Sequence, residues 1–359
     1  MGEHVNTEEL GDRLFASLLG CLDIMSVYVG DRFGLYRLLR PGALTSHELA
    51  AASGMHPRYT QEWLEQQCVA GFVAVDDAGA DPAVRRYGLP PGHVPVFADP
   101  DSEAYFTAFA RLAAAAVAQM PALLEAYRTG GGVGWAEFGA QMRTAQAEGN
   151  RPLYLHSLGR DWLPAVPEIH AALGRGGAVA DIGCGEGWSS IGMALAYPKA
   201  VVHGYDVDEA SVLAATEHAR SYGVDGRVTF HHRDLVSQPL GMTYDVVTAF
   251  ECIHDLPDPV AVLAAAREIL APGGTVLVMD ERVPEAFNGP GDPVEHLMYN
   301  FSMFVCLPDS MSHTNSVATG TVMRPATLER YAREAGFKGA EVLPIENDMF
   351  RFYRLPSAD

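Results

Sequence analysis

Lysine is nearly absent from this chain: Lys199 and Lys338 stand alone among 25 basic side chains in 359 residues. With 45 acids the formal net charge is −20, which opposes any partner that presents a phosphate backbone. Cysteine is sparse and unpatterned. The five (Cys21, Cys68, Cys184, Cys252 and Cys306) are odd in number, widely spread and form no C-x-x-C pair. That excludes a disulfide frame and a zinc site, and reads as reduced thiols in a cytoplasm. No basic, then apolar, then small-residue leader opens the chain. No apolar run of 18 residues suggests a membrane span; the richest stretch, Leu112–Val117, is short and mostly alanine. No repeat of fixed period is evident. What remains, at 48% hydrophobic and 19% charged residues, is a globular chain long enough for two domains.

The most informative stretch is Val179-Ala180-Asp181-Ile182-Gly183-Cys184-Gly185-Glu186-Gly187. An apolar strand ends on an acid, passes through a glycine loop and enters a helix near Trp188. Such a loop is a ligand site made of backbone, because glycines allow positive φ and a helix N-terminus offers free N–H groups. A dinucleotide fold wants G-x-G-x-x-G, and here Trp188 occupies the third glycine's place, so that fingerprint fails. Further strands read at Val201–Asp206, Val228–His231, Asp245–Phe250 and Thr275–Met279, separated by helical stretches over 188–197, 209–222 and 259–270. Strands alternating with helices of that length predict right-handed βαβ units, a parallel sheet, and a ligand over the strands' carboxyl ends.

The loop resembles motif I, D-x-G-x-G-x-G, of the class I S-adenosylmethionine (SAM) methyltransferases. The resemblance implies an α/β fold with a Rossmann-like methyltransferase sheet, SAM as cofactor and S-adenosylhomocysteine as product. Asp181, Gly183, Gly185 and Gly187 would form the cofactor loop. Asp206, 21 residues after Gly185, would accept the ribose hydroxyls, Val207 would flank the adenine, and Asp234 with Leu235 would meet the adenine amine. Phe250 closes the strand that faces the cofactor. The run that follows, Glu251-Cys252-Ile253-His254-Asp255, resembles the C-H-D-W-S-D stretch of small-molecule O-methyltransferases, with Leu256-Pro257 in place of Trp-Ser. In that family the histidine removes the acceptor's proton, which a neutral imidazole suits. His254 is the expected base, against a structural role that caps the next helix. Glu251 is a second base or an anchor for a substrate nitrogen, against a solvated loop acid. The helix from Glu295 onward would wall the acceptor pocket, with His296, Tyr299, Asn300 and Met303 as contacts, although Met and aromatic residues at helical spacing also suit a core. No metal cluster is recognisable.

The first hundred residues read differently. A helical pattern over 8–40 carries the stripe Leu14, Leu18, Leu22, Met25 and Val29; Thr45-Ser46-His47-Glu48 is a capping box; Pro57 opens a helix running to Gly71. Phe72–Val75 with Tyr87–Leu89 suits a small wing. A winged helix usually suggests DNA binding, yet residues 1–90 hold 12 acids and seven arginines, the wrong sign for phosphate. The expected organisation is a mostly helical, winged-helix-like dimerisation domain over 1–100, a helical connector over 101–160, including an alanine-rich helix from Asp101 to Arg128, and the SAM-binding domain over 161–359. The chain as a whole resembles actinobacterial small-molecule methyltransferases that act on indole carbon or phenolic oxygen. It is expected to be a homodimer without nucleic-acid or membrane partners. The competing reading is a winged-helix regulator that senses SAM without catalysis.

Overall fold

The structure, a computed structural model, describes residues 6–238 and 240–357. By packing, the chain divides into one unit ending at Ala115 and a second beginning at Ala116.

In the first unit, α1 (Thr7–Arg32) opens on a capping box between Asn6 and Glu9. The helix expected over 8–40 is two, because Gly34 takes φ 66° and starts α2 (Leu35–Leu39) afresh. There follow β1 (Leu44–Thr45), α3 (Ser46–Ser53), α4 (Pro57–Val69), β2 (Ala74–Val75), β3 (Arg86–Gly88) and α5 (Val94–Phe97). The Thr45–Glu48 capping box starts α3 as read. The three short strands pair antiparallel in the order β1-β3-β2, the wing. Tyr36 anchors the core, stacked on Phe97 and edge-on to Trp63, its hydroxyl donating to Gln67 Oε1 at 2.5 Å. The apolar stripe of α1 is mostly bare: Leu14, Leu18 and Leu22 are exposed, as are Leu10, Phe15 and Leu19. By length and composition α1 is also apolar enough to cross a membrane. The run-based reading missed this because Asp23 interrupts the apolar stretch.

Helix α6 (Thr107–Ala118) spans the division, and α7 (Met120–Thr129) follows. The single helix expected from Asp101 to Arg128 starts later and breaks at Gln119, where Pro121 in the first turn of α7 has no N–H to offer.

The second unit continues with α8 (Trp135–Ser157), interrupted at Gly139, then α9 (Pro167–Arg175), β4 (Ala178–Ile182), α10 (Trp188–Ala196), β5 (Val201–Asp206) and α11 (Glu209–Ser221). Next come β6 (Val228–His232), β7 (Tyr244–Phe250), α12 (Pro259–Glu268), β8 (Leu270–Glu281), α13 (Pro293–Phe301), α14 (Leu307–Met311), α15 (Pro325–Glu334), β9 (Glu341–Val342) and β10 (Phe350–Leu355). The sheet order is β6-β5-β4-β7-β8-β10-β9. Its first five strands are parallel, and β10 and β9 join antiparallel, so the sheet is mixed. One face carries a core with Trp162, Ile191 and Phe352; the other carries Tyr244, Leu263, Tyr331 and Tyr353. Burial on both faces explains why β4 and β7 read as continuous apolar runs. Ile182, Asp206, Phe250 and Glu281 end their strands at one edge of the sheet, and the loops leaving that edge carry the chemistry.

Candidate active site

The loop after β4 is shaped by three positive-φ glycines, Gly183 at 64°, Gly185 at 51° and Gly187 at 84°. It is pinned from behind: the Gly183 and Cys184 N–H groups donate to Tyr205 O at 2.9 and 3.2 Å. A Cβ on Gly187 would strike Phe230, whereas one on Gly185 would meet nothing within 4 Å. Gly185 therefore turns its backbone toward open space. Helix α10 begins at Gly187 without a side-chain cap, which leaves its first N–H groups for a ligand.

The acids of the cofactor prediction separate into different situations. Asp181 is 1% exposed and turned inward, accepting from Ser189 Oγ, Ser190 Oγ and Thr248 Oγ1, each at 2.6 Å. It fixes the loop to α10 and β7 from beneath. Asp206 accepts from the N–H of Gly185 and of Asp208, both at 2.8 Å, and burial pushes its carboxyl up. Val207 beside it is exposed. Asp234 accepts from Val236 N and Ser237 Oγ, so both its oxygens brace the turn over 234–237. Leu235 belongs to the core and, with Leu240, Ala265, Glu268 and Ile269, lines a small cavity of about 130 Å³. Phe250 is buried and stacks on Tyr154 at 6.0 Å.

The second loop leaves β7 at Glu251, whose φ of 52° is a left-handed conformation rare for a residue with a side chain. Its Oε1 accepts from Asn150 Nδ2 at 3.0 Å and Tyr154 Oη at 2.9 Å. Burial, and then the neighbouring Glu281, raise the Glu251 carboxyl to about 8. His254 is 2% exposed. Its Nδ1 lies 2.9 Å from Asp280 Oδ1 and 3.1 Å from Glu281 Oε2, and its Nε2 lies 3.3 Å from Asp255 Oδ1. Burial opposes the imidazolium, but the three carboxylates outweigh it and hold the histidine well above its ordinary value. Burial pushes Glu281 up to about 7. The histidine expected to act as the base thus sits among three carboxylates that favour its protonated form.

The two loops touch. A Cβ on Gly183 would lie 2.8 Å from both Cβ and Sγ of Cys252, and the Cys252 thiol reaches Ile182 O at 3.4 Å. The glycine loop and the acid–base cluster are therefore one site. The residues present fit SAM: an open glycine turn, an uncapped helix N-terminus and a strand-end acid beside an exposed valine.

Among the described residues, no hydrogen bond joins the side chains of the predicted acceptor contacts His296, Tyr299, Asn300 and Met303 to this cluster. Tyr299 pairs with Arg324, Asn300 with the carbonyl of His296, and the Met303 carbonyl takes the Tyr127 hydroxyl at 2.6 Å; the side chains of all four predicted contacts are exposed. The turn after α13 does reach it, through Cys306, whose thiol interacts with Asp255 and His254. Asp280 and Glu281 were missed in the sequence because β8 was read as ending at Met279, two residues short. A strand ending in an acid was the signal used at Asp181 and Asp206, and it is repeated here. Asn150 and Tyr154 lie in a helix with no motif to mark them.

Comparison with known proteins bears on the domain content and the fold. Residues 173–334 match the family model described as a methyltransferase domain, and residues 20–98 match an Rv2258c-like winged HTH domain. Over 176 residues the chain is 30% identical to 27-O-demethylrifamycin SV methyltransferase of Amycolatopsis mediterranei, covering 47% of this chain and 63% of that enzyme. It is 29% identical over 189 residues to the ubiquinone biosynthesis O-methyltransferase of Pseudomonas savastanoi pv. phaseolicola, covering 51% of this chain and 74% of that enzyme. Among solved structures, human N-acetylserotonin methyltransferase in complex with SAM aligns over all of both chains, with a TM-score of 0.73 at 17% identity. The mitomycin 7-O-methyltransferase aligns over 97% of this chain and 98% of its own, at 0.69 and 18%. Residues 173–334 are thus a methyltransferase domain and residues 20–98 a winged helix-turn-helix domain, on a fold shared with the class I methyltransferases.

Proposed function

We propose that this chain methylates an aromatic small molecule, at an indole ring carbon or a phenolic oxygen, and that Glu251 takes the proton the acceptor loses. The observation that carries the reading is the contact between Gly183 and Cys252, which sets the acid–base cluster against the cofactor loop. When bound, SAM supplies a methyl group activated by its positive sulfur. The chain's own residues do the rest. Gly183–Gly187 and the start of α10 orient the cofactor, with Asp206 toward the ribose and Val207 beside the adenine. Asp181 holds that loop in place. Glu251, with an affinity for protons near neutrality, is matched to a base working at pH 7 to 8. His254 stays protonated between Asp280, Glu281 and Asp255, and supplies a fixed positive charge beside the Glu251–Glu281 pair. The names of the relatives, which concern a demethylrifamycin and ubiquinone biosynthesis, support a small-molecule acceptor here.

The bare apolar face of α1 supports a homodimer built on the first unit. A regulator that senses SAM is the weaker reading, because that unit is acidic where DNA binding needs the opposite sign. The test is incubation of the purified chain with isotopically labelled SAM and a panel of phenols and indoles. A product heavier by one labelled methyl group supports the proposal; SAM binding without turnover on any member counts for the sensor.

A further inference from the structure

Glu251 meets two side-chain donors, and both reach the same atom. Asn150 Nδ2 donates to Oε1 at 3.0 Å and Tyr154 Oη donates to Oε1 at 2.9 Å. Among the described residues, no hydrogen bond goes to Oε2. The donors stand four residues apart on α8, about one helical turn, and so share a face. Their place relative to the cofactor loop is fixed twice over. A Cβ on Gly192 would run into Tyr154 O, so α8 lies directly against α10, the helix that begins at the loop. The Tyr154 ring stacks on Phe250, the residue before Glu251, with centroids 6.0 Å apart and planes inclined by 23°. Tyr154 is buried, whereas Glu251 stays partly exposed. The carboxylate is thus tied to α8 through one oxygen while the residue keeps contact with its surroundings.

We infer that Asn150 and Tyr154 are positioning residues: by holding Oε1 of Glu251 they leave Oε2 as the atom that takes the acceptor's proton. The inference rests on the methyl-transfer reading above. As Oε2 forms its O–H bond with the proton of a phenolic O–H or an indole N–H, the freed electron pair stays on the acceptor. It is used, directly or through the ring, in the bond to the methyl carbon, and the C–S pair goes to sulfur. Solvation of a half-buried acid alone is met equally well by one donor on each oxygen; two donors on one atom keep the other for chemistry. Both donors also favour the carboxylate over the neutral acid, because each points its hydrogen at the charge. The other groups that act on Glu251 are Glu281 of β8, which opposes its charge, and His254, which favours it.

The test is a pH titration of the full chain with isotope-labelled glutamate carboxyls, followed by NMR, the Glu251 signal being identified by its loss in Glu251→Gln. The native midpoint should lie at about 8. Tyr154→Phe keeps the ring on Phe250 and loses only the hydroxyl. It and Asn150→Ala should each raise the midpoint by roughly one unit or more. Both should keep their affinity for S-adenosylhomocysteine by calorimetry, which reports an intact fold. The pH at which turnover rises, on the phenol or indole of the panel that is methylated fastest, should move with the midpoint. In the double variant, kcat extrapolated to its high-pH limit should stay roughly tenfold or more below native, because the carboxylate regains its charge but not its direction. Midpoints that do not move, or a native limiting kcat in the double variant, overturn the inference and leave methyl transfer standing. Midpoints that move without the pH dependence of turnover take the base role from Glu251, and the inference falls with it. Absence of methylated product from every phenol and indole overturns the methyl-transfer reading and the inference together.

Discussion

Gly183 and Cys252 are packed so closely that a single carbon added to the glycine would lie 2.8 Å from the cysteine's Cβ and Sγ. Gly183→Ala meets two penalties: this contact, and a φ of 64° that costs an alanine about 1–2 kcal/mol. Weaker SAM binding by calorimetry and a lower melting temperature are expected. Adding Cys252→Gly should recover part of the loss, because it removes the contact but not the backbone strain. Unchanged SAM affinity in Gly183→Ala would detach the glycine loop from the cofactor.

Asp206 accepts the Gly185 N–H from below, so its removal should act twice, on the loop and on the ribose. Charge-assisted hydrogen bonds contribute about 1.5–3 kcal/mol each, so Asp206→Ala should weaken SAM binding roughly tenfold or more. A folded variant with native affinity would remove Asp206 from the cofactor site.

Glu251 and His254 make opposite predictions. Rate on the native enzyme should rise with pH through about 8, as Glu251 loses its proton. Glu251→Gln can still accept from Tyr154 through its amide oxygen, and should lose about 10²–10⁴-fold in turnover with SAM affinity kept. His254→Ala leaves Asp255, Asp280 and Glu281 facing one another and should cost about 3–5 kcal/mol of stability. A stable His254→Ala enzyme with turnover lost, beside an active Glu251→Gln, would return the base role to the histidine.

Burial, and then Asp255, raise Asp309 to about 7 from an ordinary value of 3.8. The folded chain therefore binds this proton where the unfolded chain has released it. The associated stability is fully present below about pH 4 and is lost as pH rises toward 7. His254, also raised, loses its contribution in the same direction at higher pH. Calorimetric melting should accordingly occur at lower temperature at pH 8 than at pH 5. Asp309→Asn, which keeps an oxygen for the Trp135 N–H, should flatten that decline; a steeper decline in the variant would contradict the assignment.

The face of α1 that includes Leu14, Leu18 and Leu22 is expected to be covered by a second copy. Light scattering at micromolar concentration should give twice 38.6 kDa. Leu18→Glu should return the chain to a monomer, and a native chain that is already monomeric refutes the dimer.

The centre of the sheet was legible in the sequence because β4 and β7 are buried along their length and Asp181 and Asp206 stand at the ends of β4 and β5, with the glycine loop between β4 and α10. Break points were less legible: Gly34 and Pro121 interrupt apolar patterns that continue past them, and periodicity alone does not register a change of direction. At the site, position along the chain found His254 but not the carboxylates that surround it. Its neighbours Asp280 and Glu281 come from a strand 26 and 27 residues later, and no local pattern carries the charge that they impose.

Asp181 gives the cofactor loop its shape before any ligand arrives. Three hydroxyls from α10 and β7 converge on one carboxylate, so the conformational freedom of the glycines is removed when the chain folds and not when it binds. Glycines so restrained give the site a small entropy of ordering on association. The amides of Gly183, Cys184, Gly185 and Gly187, which already donate to Tyr205 O, Asp206 and Cys184 O, should exchange slowly with solvent deuterium even in the free protein, and binding should change their protection little.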